Sequence, residues 1–261
     1  MRKNAFSLPA PVLMFLLLMG LPSLALAHFG TVIPEPPILD QDTRSTELTL
    51  AFLHPFEQSG MDLSKPEKVV VVNMETQASQ DLTSSLKSTT VSDHQAWKVE
   101  HTPARPGVYC AVMHPQPYWE PAEDIFIKHI TKTYMAAFGG ESGWAQPLGL
   151  ETEIVPLTRP FGLYAGNVFQ GRVMMNGQPV PGAEVEVEYY NRTGARASSD
   201  HMITQVVLAD ENGVFTYAAP RAGWWGFSAL NEAEYTLKHD TTPKNLELGA
   251  VIWVQFQPWQ E

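Results

Sequence analysis

Alternation of apolar and other residues along short segments is the feature that most constrains this chain, because it has the period of a β-strand. Leu48, Leu50 and Phe52 share one face of such a segment, and no segment has a convincing helical period. We therefore predict a mainly β fold. The predicted strands are Glu47–His54, Lys68–Asn73, Gln95–His101, Gly107–His114, Ile125–Phe138, Leu150–Pro156, Val168–Met174, Ala183–Tyr190, Val214–Ala218 and Leu248–Phe256.

The first 27 residues have the pattern of a secretory signal. Two basic residues at 2–3 supply a positive start, residues 12–19 form a short apolar core, and residues 25–27 have the small-x-small form that signal peptidase cleaves. We expect export to the periplasm, with cleavage after Ala27 and His28 as the first mature residue. No later segment is apolar for long enough to cross a bilayer, so we expect no membrane span in the mature form.

The mature chain would be long enough for two β domains. Removing 27 of the 261 residues leaves 234, and each half can bury a core of its own. Segment 105–109 (RPGVY) resembles the approach to a late strand of immunoglobulin-like sandwiches, in which the tyrosine hydroxyl bonds to the backbone. The second half has a strand order similar to transthyretin-like sandwiches.

The predicted fold class is therefore all-β, with two β-sandwich domains of immunoglobulin-like or transthyretin-like type. The predicted boundaries are a signal peptide at 1–27, an N-terminal β domain with a metal site at 28–158, and a C-terminal β-sandwich at 159–261.

The sequence argues against several classes of function. Two of the 17 Lys and Arg residues precede His28 while all 28 Asp and Glu residues follow it, so the formal charge falls from −11 to −13 on cleavage. This charge repels phosphates, and we expect no nucleic-acid partner. Cys110 is the only cysteine, which rules out an internal disulfide, and its apolar strand predicts a buried thiol. Nucleophile elbows, phosphate loops and zinc-protease motifs are missing from the sequence, so we do not expect an enzyme.

His28 at a mature N-terminus would offer two metal ligands. Its α-amine and a ring nitrogen can close a small chelate ring on one ion, and the amine, with a pKa of about 7.7 to 8.0, can lose its proton to a transition metal near neutral pH. Imidazole suits nickel, copper and zinc alike, so the ligand type does not select the metal. The alternative interpretation is that cleavage falls before a histidine by chance.

Two further histidines continue apolar strand faces. His54 follows Phe52 on one face, and His129 follows Ile127 on another. Both imidazoles are therefore expected to be partly buried and to need a partner, either a shared metal ion or a backbone carbonyl. We predict His28, His54 and His129 as metal ligands, and we predict no catalytic residue.

Two sets of polar residues are expected at the surface. Val185 and Val187 alternate with three glutamates, which predicts a strand with one solvent-exposed face. Four histidines fall in polar, turn-flanked settings, and these are His94, His101, His201 and His239.

Five segments spread over nearly the whole mature chain carry a family resemblance. They are 28–34 (HFGTVIP), 52–57 (FLHPFE), 117–124 (PYWEPAED), 159–167 (RPFGLYAGN) and 220–227 (PRAGWWGF). Together they resemble the NikK-type periplasmic component of nickel/cobalt energy-coupling-factor transporters, a domain-of-unknown-function family.

The resemblance implies a protein that captures a nickel or cobalt ion as cargo and passes it to the membrane components of such a transporter. It implies His28 and His54 as ligands, since both lie in matching segments; copper or zinc are the other ions that these ligands suit. Two other functions stay open. One is a copper enzyme of the histidine-brace kind, such as a polysaccharide monooxygenase, and the other is a metal-free adhesion or scaffold module with structural histidines.

Overall fold

The computed structural model describes residues 28–259, and its regular structure is almost entirely β. The predicted signal peptide lies outside this range. The strands described are β1 (Phe29–Glu35), β2 (Ile38–Leu39), β3 (Thr46–His54), β4 (Ser59–Met61), β5 (Lys68–Asn73), β6 (Ser79–Asp81), β7 (Lys87–Val91), β8 (His94–His101), β9 (Gly107–His114), β10 (Tyr118–Glu120), β11 (Ile125–Ala137), β12 (Thr152–Pro156), β13 (Leu163–Tyr164), β14 (Val168–Met175), β15 (Gln178–Pro179), β16 (Glu184–Tyr189), β17 (Gln205–Leu208), β18 (Val214–Ala218), β19 (Gly223–Glu232), β20 (Leu237–His239), β21 (Thr242–Lys244) and β22 (Leu246–Gln257).

The all-β prediction is confirmed. All of the predicted strands form, with bounds that differ by no more than two residues from those expected. Two short 3-10 helices, Thr83–Ser85 and Asp200–Met202, complete the regular structure of the described range. Neither they nor any other helix between residues 28 and 259 could cross a membrane.

A large sheet of eleven described strands runs through both predicted domains. Its main path is β17-β16-β19-β22-β11-β9-β5-β6, with β2 and β10 on β11 and β13 on β22. The late strand β22 lies between β19, to which it is antiparallel, and β11, to which it is parallel. Strands of both predicted domains are thus neighbours in one sheet, and the domain boundary at 158 stays a prediction.

Two smaller sheets pack against this one and enclose two apolar cores. The first sheet, β1-β3-β8-β7 with β4 on β3, buries Leu48 and Leu50 against Val69 of β5. The second, β12-β14-β15 with β18 on β14, buries Phe169 against Phe227 of β19. Each core is the layered arrangement of a β-sandwich, as the alternating pattern predicts.

A third apolar cluster fixes β1 against the C-terminal strands. Phe29 and Leu53 pack there with Trp224 and the fully buried Trp253. The Trp253 indole Nε1 also donates a hydrogen bond of 2.8 Å to the carbonyl oxygen of Gly30. Strand β1 is thereby held in place by β22.

Two local predictions in β9 are confirmed. The Tyr109 hydroxyl donates to the Arg105 carbonyl oxygen at 2.9 Å, which is the tyrosine corner that segment 105–109 predicts. Cys110 is fully buried, and burial raises the pKa of its thiol to about 12. The thiol therefore stays protonated at neutral pH.

Lys132 and Glu153 form an ion pair in the interior. Lys132 Nζ on β11 lies 2.6 Å from Glu153 Oε2 on β12, and neither side chain is more than 2% exposed. Glu153 also accepts hydrogen bonds from the backbone N–H groups of Leu148 and Gly149. The pair therefore joins the large sheet to the sheet that begins with β12.

We expect Lys132→Met to lower the free energy of unfolding by about 3–5 kcal/mol, because the Glu153 carboxylate would be left as an uncompensated buried charge. Adding Glu153→Gln should recover part of this loss, since the amide is neutral and keeps an acceptor for the two N–H groups. Urea unfolding measures both effects, with Lys238→Met at an exposed position as the control. A Lys132→Met loss as small as that of the control would contradict the expected role of the pair.

Candidate metal centre

Pairing of β1 with β3 brings two of the predicted ligands together. The antiparallel register sets Phe29 opposite Leu53, so His28 and His54 meet at the end of the pair. Their ring centroids are 4.5 Å apart, with an angle of 50° between the ring planes. His54 is 6% exposed, which confirms the burial expected from strand alternation.

A carboxylate and two aromatic rings surround the His28 imidazole. Its Nε2 lies 3.4 Å from Glu120 Oε2 on β10, and each of these side chains is 12% exposed. The Phe52 ring stacks on it at a centroid distance of 5.5 Å, and the Tyr118 ring is 6.4 Å away. Little water reaches this group, so charge interactions within it are stronger than on an open surface.

The Phe52 ring, which contacts His28, also contacts the third predicted ligand, His129. The Phe52 and His129 centroids are 5.8 Å apart with an edge-on angle of 88°. His129 is 2% exposed, and its Nε2 is 2.9 Å from Glu247 Oε1 on β22. Its Nδ1 is buried and makes no hydrogen bond with the described residues. Because the Glu247 carboxylate accepts, Nε2 carries a proton in this hydrogen bond.

Glu247 connects His28 and His129 electrostatically. Burial on its own would raise the pKa of this carboxyl, but the hydrogen bond from His129 and the nearby charges of His129 and His28 together lower the pKa. The carboxylate therefore stays ionised beside the imidazoles. It adds a second negative charge to that of Glu120 in the same region.

Two expectations of surface exposure are wrong. Glu186 and Glu188 are 8% and 1% exposed. The segment after β3 covers Glu188, whose Oε2 accepts a hydrogen bond of 3.2 Å from the Phe56 N–H. His101 is 3% exposed, and burial lowers its pKa to about 4. Of the other histidines expected at the surface, His201 is exposed, whereas His94 and His239 are half-buried.

The buried glutamates of β16 hold their protons to unusually high pH. Burial raises the pKa of Glu186 to about 8, with further contributions from the charges of Glu247, Glu188, Glu184 and Glu123. Burial also raises the pKa of Glu188 to about 7, against hydrogen bonds from the Thr204 hydroxyl and the Phe56 N–H that lower it. These side chains extend a polar layer from the imidazoles into the interior.

The described residues offer two imidazoles and a carboxylate at His28, His54 and Glu120. Between residues 28 and 259, no group of three or more His, Cys, Asp or Glu side chains is gathered closely enough to hold a metal ion. The α-nitrogen of His28 is not a member of such a group, and in the full sequence it is joined to Ala27. Nitrogen and carboxylate donors suit nickel, cobalt, copper and zinc, so the donor chemistry fits a transition metal once the amine is released.

A family model described as "Domain of unknown function (DUF4198)" matches residues 25–233 of the sequence. The chain belongs to the DUF4198 family. Membership agrees with the expected domain-of-unknown-function family, while the nickel/cobalt transporter component stays a prediction. No curated protein matches the DUF4198 chain significantly.

Three solved structures are among those with similarity to the DUF4198 chain. The D0-D1 domain of Intimin has 12% identity and a TM-score of 0.25, covering 88% of this chain and 100% of its own. BcpA, the major pilin subunit of Bacillus cereus, has 14% identity and a TM-score of 0.21, with coverage of 88% and 67%. A putative carbohydrate binding protein from Bacteroides uniformis has 10% identity and a TM-score of 0.21, with coverage of 84% and 96%. These scores are too low to carry an argument about the DUF4198 chain.

Gly249 of the DUF4198 chain leaves room for the His129 ring. The parallel register sets Gly249 opposite His129, and a Cβ at Gly249 would lie 2.3 Å from His129 Cδ2. We expect Gly249→Ala to displace the ring and lower the free energy of unfolding by about 1–3 kcal/mol, as measured by urea unfolding. In a His129→Ala background the added cost should nearly vanish, because the ring is gone. An equal cost in both backgrounds would contradict this contact.

The raised pKa of Glu186 gives the fold a pH dependence of definite sign. The folded chain keeps a proton up to about pH 8 that the unfolded chain loses near 4.5, the ordinary pKa of a glutamate. Stability from this group is therefore full below about pH 4.5 and falls as the pH rises to about 8. We expect the effect of Glu186→Gln on the free energy of unfolding to be about 3 kcal/mol more favourable at about pH 8 than at about pH 5, as measured by urea unfolding. Glu184→Gln, at an exposed position on the same strand, should give no such difference.

Proposed function

We propose that this protein captures a nickel or cobalt ion in the periplasm and passes it to the membrane components of a transporter. The observation that carries the proposal is the contact between the His28 and His54 rings, at a centroid distance of 4.5 Å, beside the Glu120 carboxylate. Residue 28 is also the residue that the predicted cleavage would make the N-terminus. Both predicted ligands of the matching segments therefore lie together.

Cleavage would complete the donor set. The released amine and ring of His28 supply two nitrogens in one chelate, and the His54 ring supplies a third. Glu120 Oε2, at 3.4 Å from His28 Nε2, can accept a hydrogen bond or act as a fourth donor. Since the amine must lose its proton, binding releases protons and weakens at acidic pH.

His129 remains a predicted ligand with a definite constraint. Its Nε2 is hydrogen-bonded to Glu247, so a metal ion at that nitrogen would have to break the bond. Its Nδ1 lacks a hydrogen-bond partner among residues 28–259 and is the nitrogen that the ring can offer without moving away from Glu247. With a metal ion at Nδ1, Glu247 would keep the ring orientation fixed, as carboxylates commonly do for ligating histidines.

Charge favours a cationic cargo. Glu120 and Glu247 lie close to the imidazoles, and the predicted mature chain has a formal charge of −13 from its 15 basic and 28 acidic residues. Such a field raises the local concentration of cations and speeds their association. The first residue of a chain can also move without opening the fold, which suits a ligand that must release its ion to another protein.

A copper enzyme of the histidine-brace kind is the second candidate, because one amine and two imidazoles are also the donors of that site. Every such site binds copper more tightly than nickel, so affinity alone does not separate the two functions. Oxidised oligosaccharides formed by the copper-loaded protein with a reductant and a polysaccharide would favour the enzyme. Nickel or cobalt in the protein purified from its own periplasm would favour capture.

We expect the mature chain, tagged at its C-terminus, to bind one nickel or cobalt ion in isothermal titration calorimetry. A chain that keeps Ala27 should bind about tenfold more weakly or worse, because its amine is displaced from the His28 ring. His54→Gln should cause a loss of about the same size, since it removes a nitrogen donor and keeps the hydrogen-bonding character. Bound metal should also raise the melting temperature.

The exposed His201→Gln variant is the matched control and should bind as the natural mature chain does. Absence of stoichiometric binding by the mature chain would refute the capture proposal. Equal binding by the mature and Ala27-extended chains would refute the role of the amine while leaving the imidazoles as ligands.

A further inference from the structure

A cavity of about 270 Å³ lies beside the His28 and His54 pair. Aromatic rings from two strands, Phe52 of β3 with Tyr118 and Trp119 of β10, form part of its wall. Apolar side chains form half of the remaining lining, and these are Leu63, Met113, Pro115, Pro117 and Ile127. The size and the mainly apolar wall are those of a site for a small organic molecule.

The aromatic part of the wall is held rigidly. The His239 ring stacks on Trp119 at a centroid distance of 3.9 Å and an angle of 10°, and Phe126 packs on Trp119 at 5.0 Å. Tyr118 and Phe52 contact each other at 5.4 Å. A cavity whose walls are already fixed loses little conformational entropy when a ligand enters.

Asp62 is the carboxylate-bearing residue of the cavity, and none of the described lining residues is a lysine or an arginine. Its side chain is 75% exposed at the rim, where Oδ1 lies 3.4 Å from His94 Nδ1. The Gln95 backbone N–H donates to the same oxygen at 2.8 Å, and this hydrogen bond is the main reason that the pKa of Asp62 is lowered, with a smaller contribution from His94. The Asp62 carboxylate is therefore held in a fixed position at the rim.

His129 also lines the cavity, and its Nε2 lies 2.9 Å from Glu247 Oε1. A ligand carboxylate in the cavity would be repelled by the Asp62 carboxylate.

We infer that this cavity binds a small organic cation, in which an ammonium group is joined to an apolar or aromatic body. The body would pack on Phe52 and Tyr118, and the ammonium group would meet the Asp62 carboxylate, with the electron-rich aromatic faces adding attraction. No described lining residue would compensate a negative ligand. The inference does not depend on metal capture, although Phe52 and Tyr118 also contact the His28 ring.

Three probes that share one ring and differ in charge test the inference by calorimetry on the mature, chelator-treated chain. They are phenethylamine, 2-phenylethanol and phenylacetate, none of which chelates a metal ion well. We expect phenethylamine to bind about tenfold more tightly than phenylacetate, with the alcohol between them. The inference would be overturned if none of the three probes bound saturably, or if phenylacetate bound as tightly as phenethylamine.

Variants assign the binding to this cavity. Asp62→Asn should weaken phenethylamine binding severalfold and leave 2-phenylethanol binding unchanged, because the amide oxygen can still accept from Gln95 and face His94 while the charge is lost. Tyr118→Leu should weaken both ligands, whereas Tyr118→Phe should not. Asp42→Asn, at an exposed position outside the cavity, is the charge-matched control. Equal effects of Asp62→Asn and Asp42→Asn would place the cation elsewhere and overturn the inference, and melting temperatures establish that each variant is folded.

Because the chain is metal-free in these titrations, their outcome is separate from that of the metal titrations. Nickel binding without phenethylamine binding would support metal capture and refute the cavity inference. Phenethylamine binding without nickel binding would support the cavity inference and refute metal capture.

Discussion

Parallel pairing of β11 with β22 is the constraint on which the candidate metal centre depends. It sets His129 opposite Gly249, where only a glycine leaves space for the imidazole, and it brings the Glu247 carboxylate to the His129 Nε2. The same strand β22 carries Trp253, which packs on Phe29 and bonds to the backbone of β1. A single strand thus positions the His129 imidazole, its carboxylate partner Glu247 and strand β1, which follows His28.

Much of the fold could be predicted from the sequence because strand alternation is a local property. Side chains two residues apart share a face whatever the strand pairs with, so the strand bounds and the burial of His54 and His129 follow from a few neighbouring residues. The tyrosine corner at 105–109 is equally local, since its hydrogen bond spans four residues. The contact of His28 with His54 was predicted from the metal-site hypothesis and not from a local pattern, because it requires the pairing of β1 with β3.

The remaining features depend on pairings between distant segments. His129 and Glu247 are 118 residues apart in the sequence, and nothing near Glu247 signals the bond. Alternation in β16 correctly separates a glutamate face from a valine face but does not say what covers the glutamates, and the segment after β3 covers Glu188. The large sheet that both predicted domains share could not be predicted for the same reason, since it depends on β22 of the second domain pairing with β11 of the first.

The position of β22 also has a consequence for folding. Phe126 of β11 pairs with Leu246, which lies 120 residues later in the sequence, and topologies rich in contacts of high sequence separation fold slowly. Before β22 pairs, β11 and β19 each have an unpaired edge, and unpaired edges are templates for association with other chains. A chain that lacks β22 would therefore be more prone to aggregate than to fold into a smaller working protein.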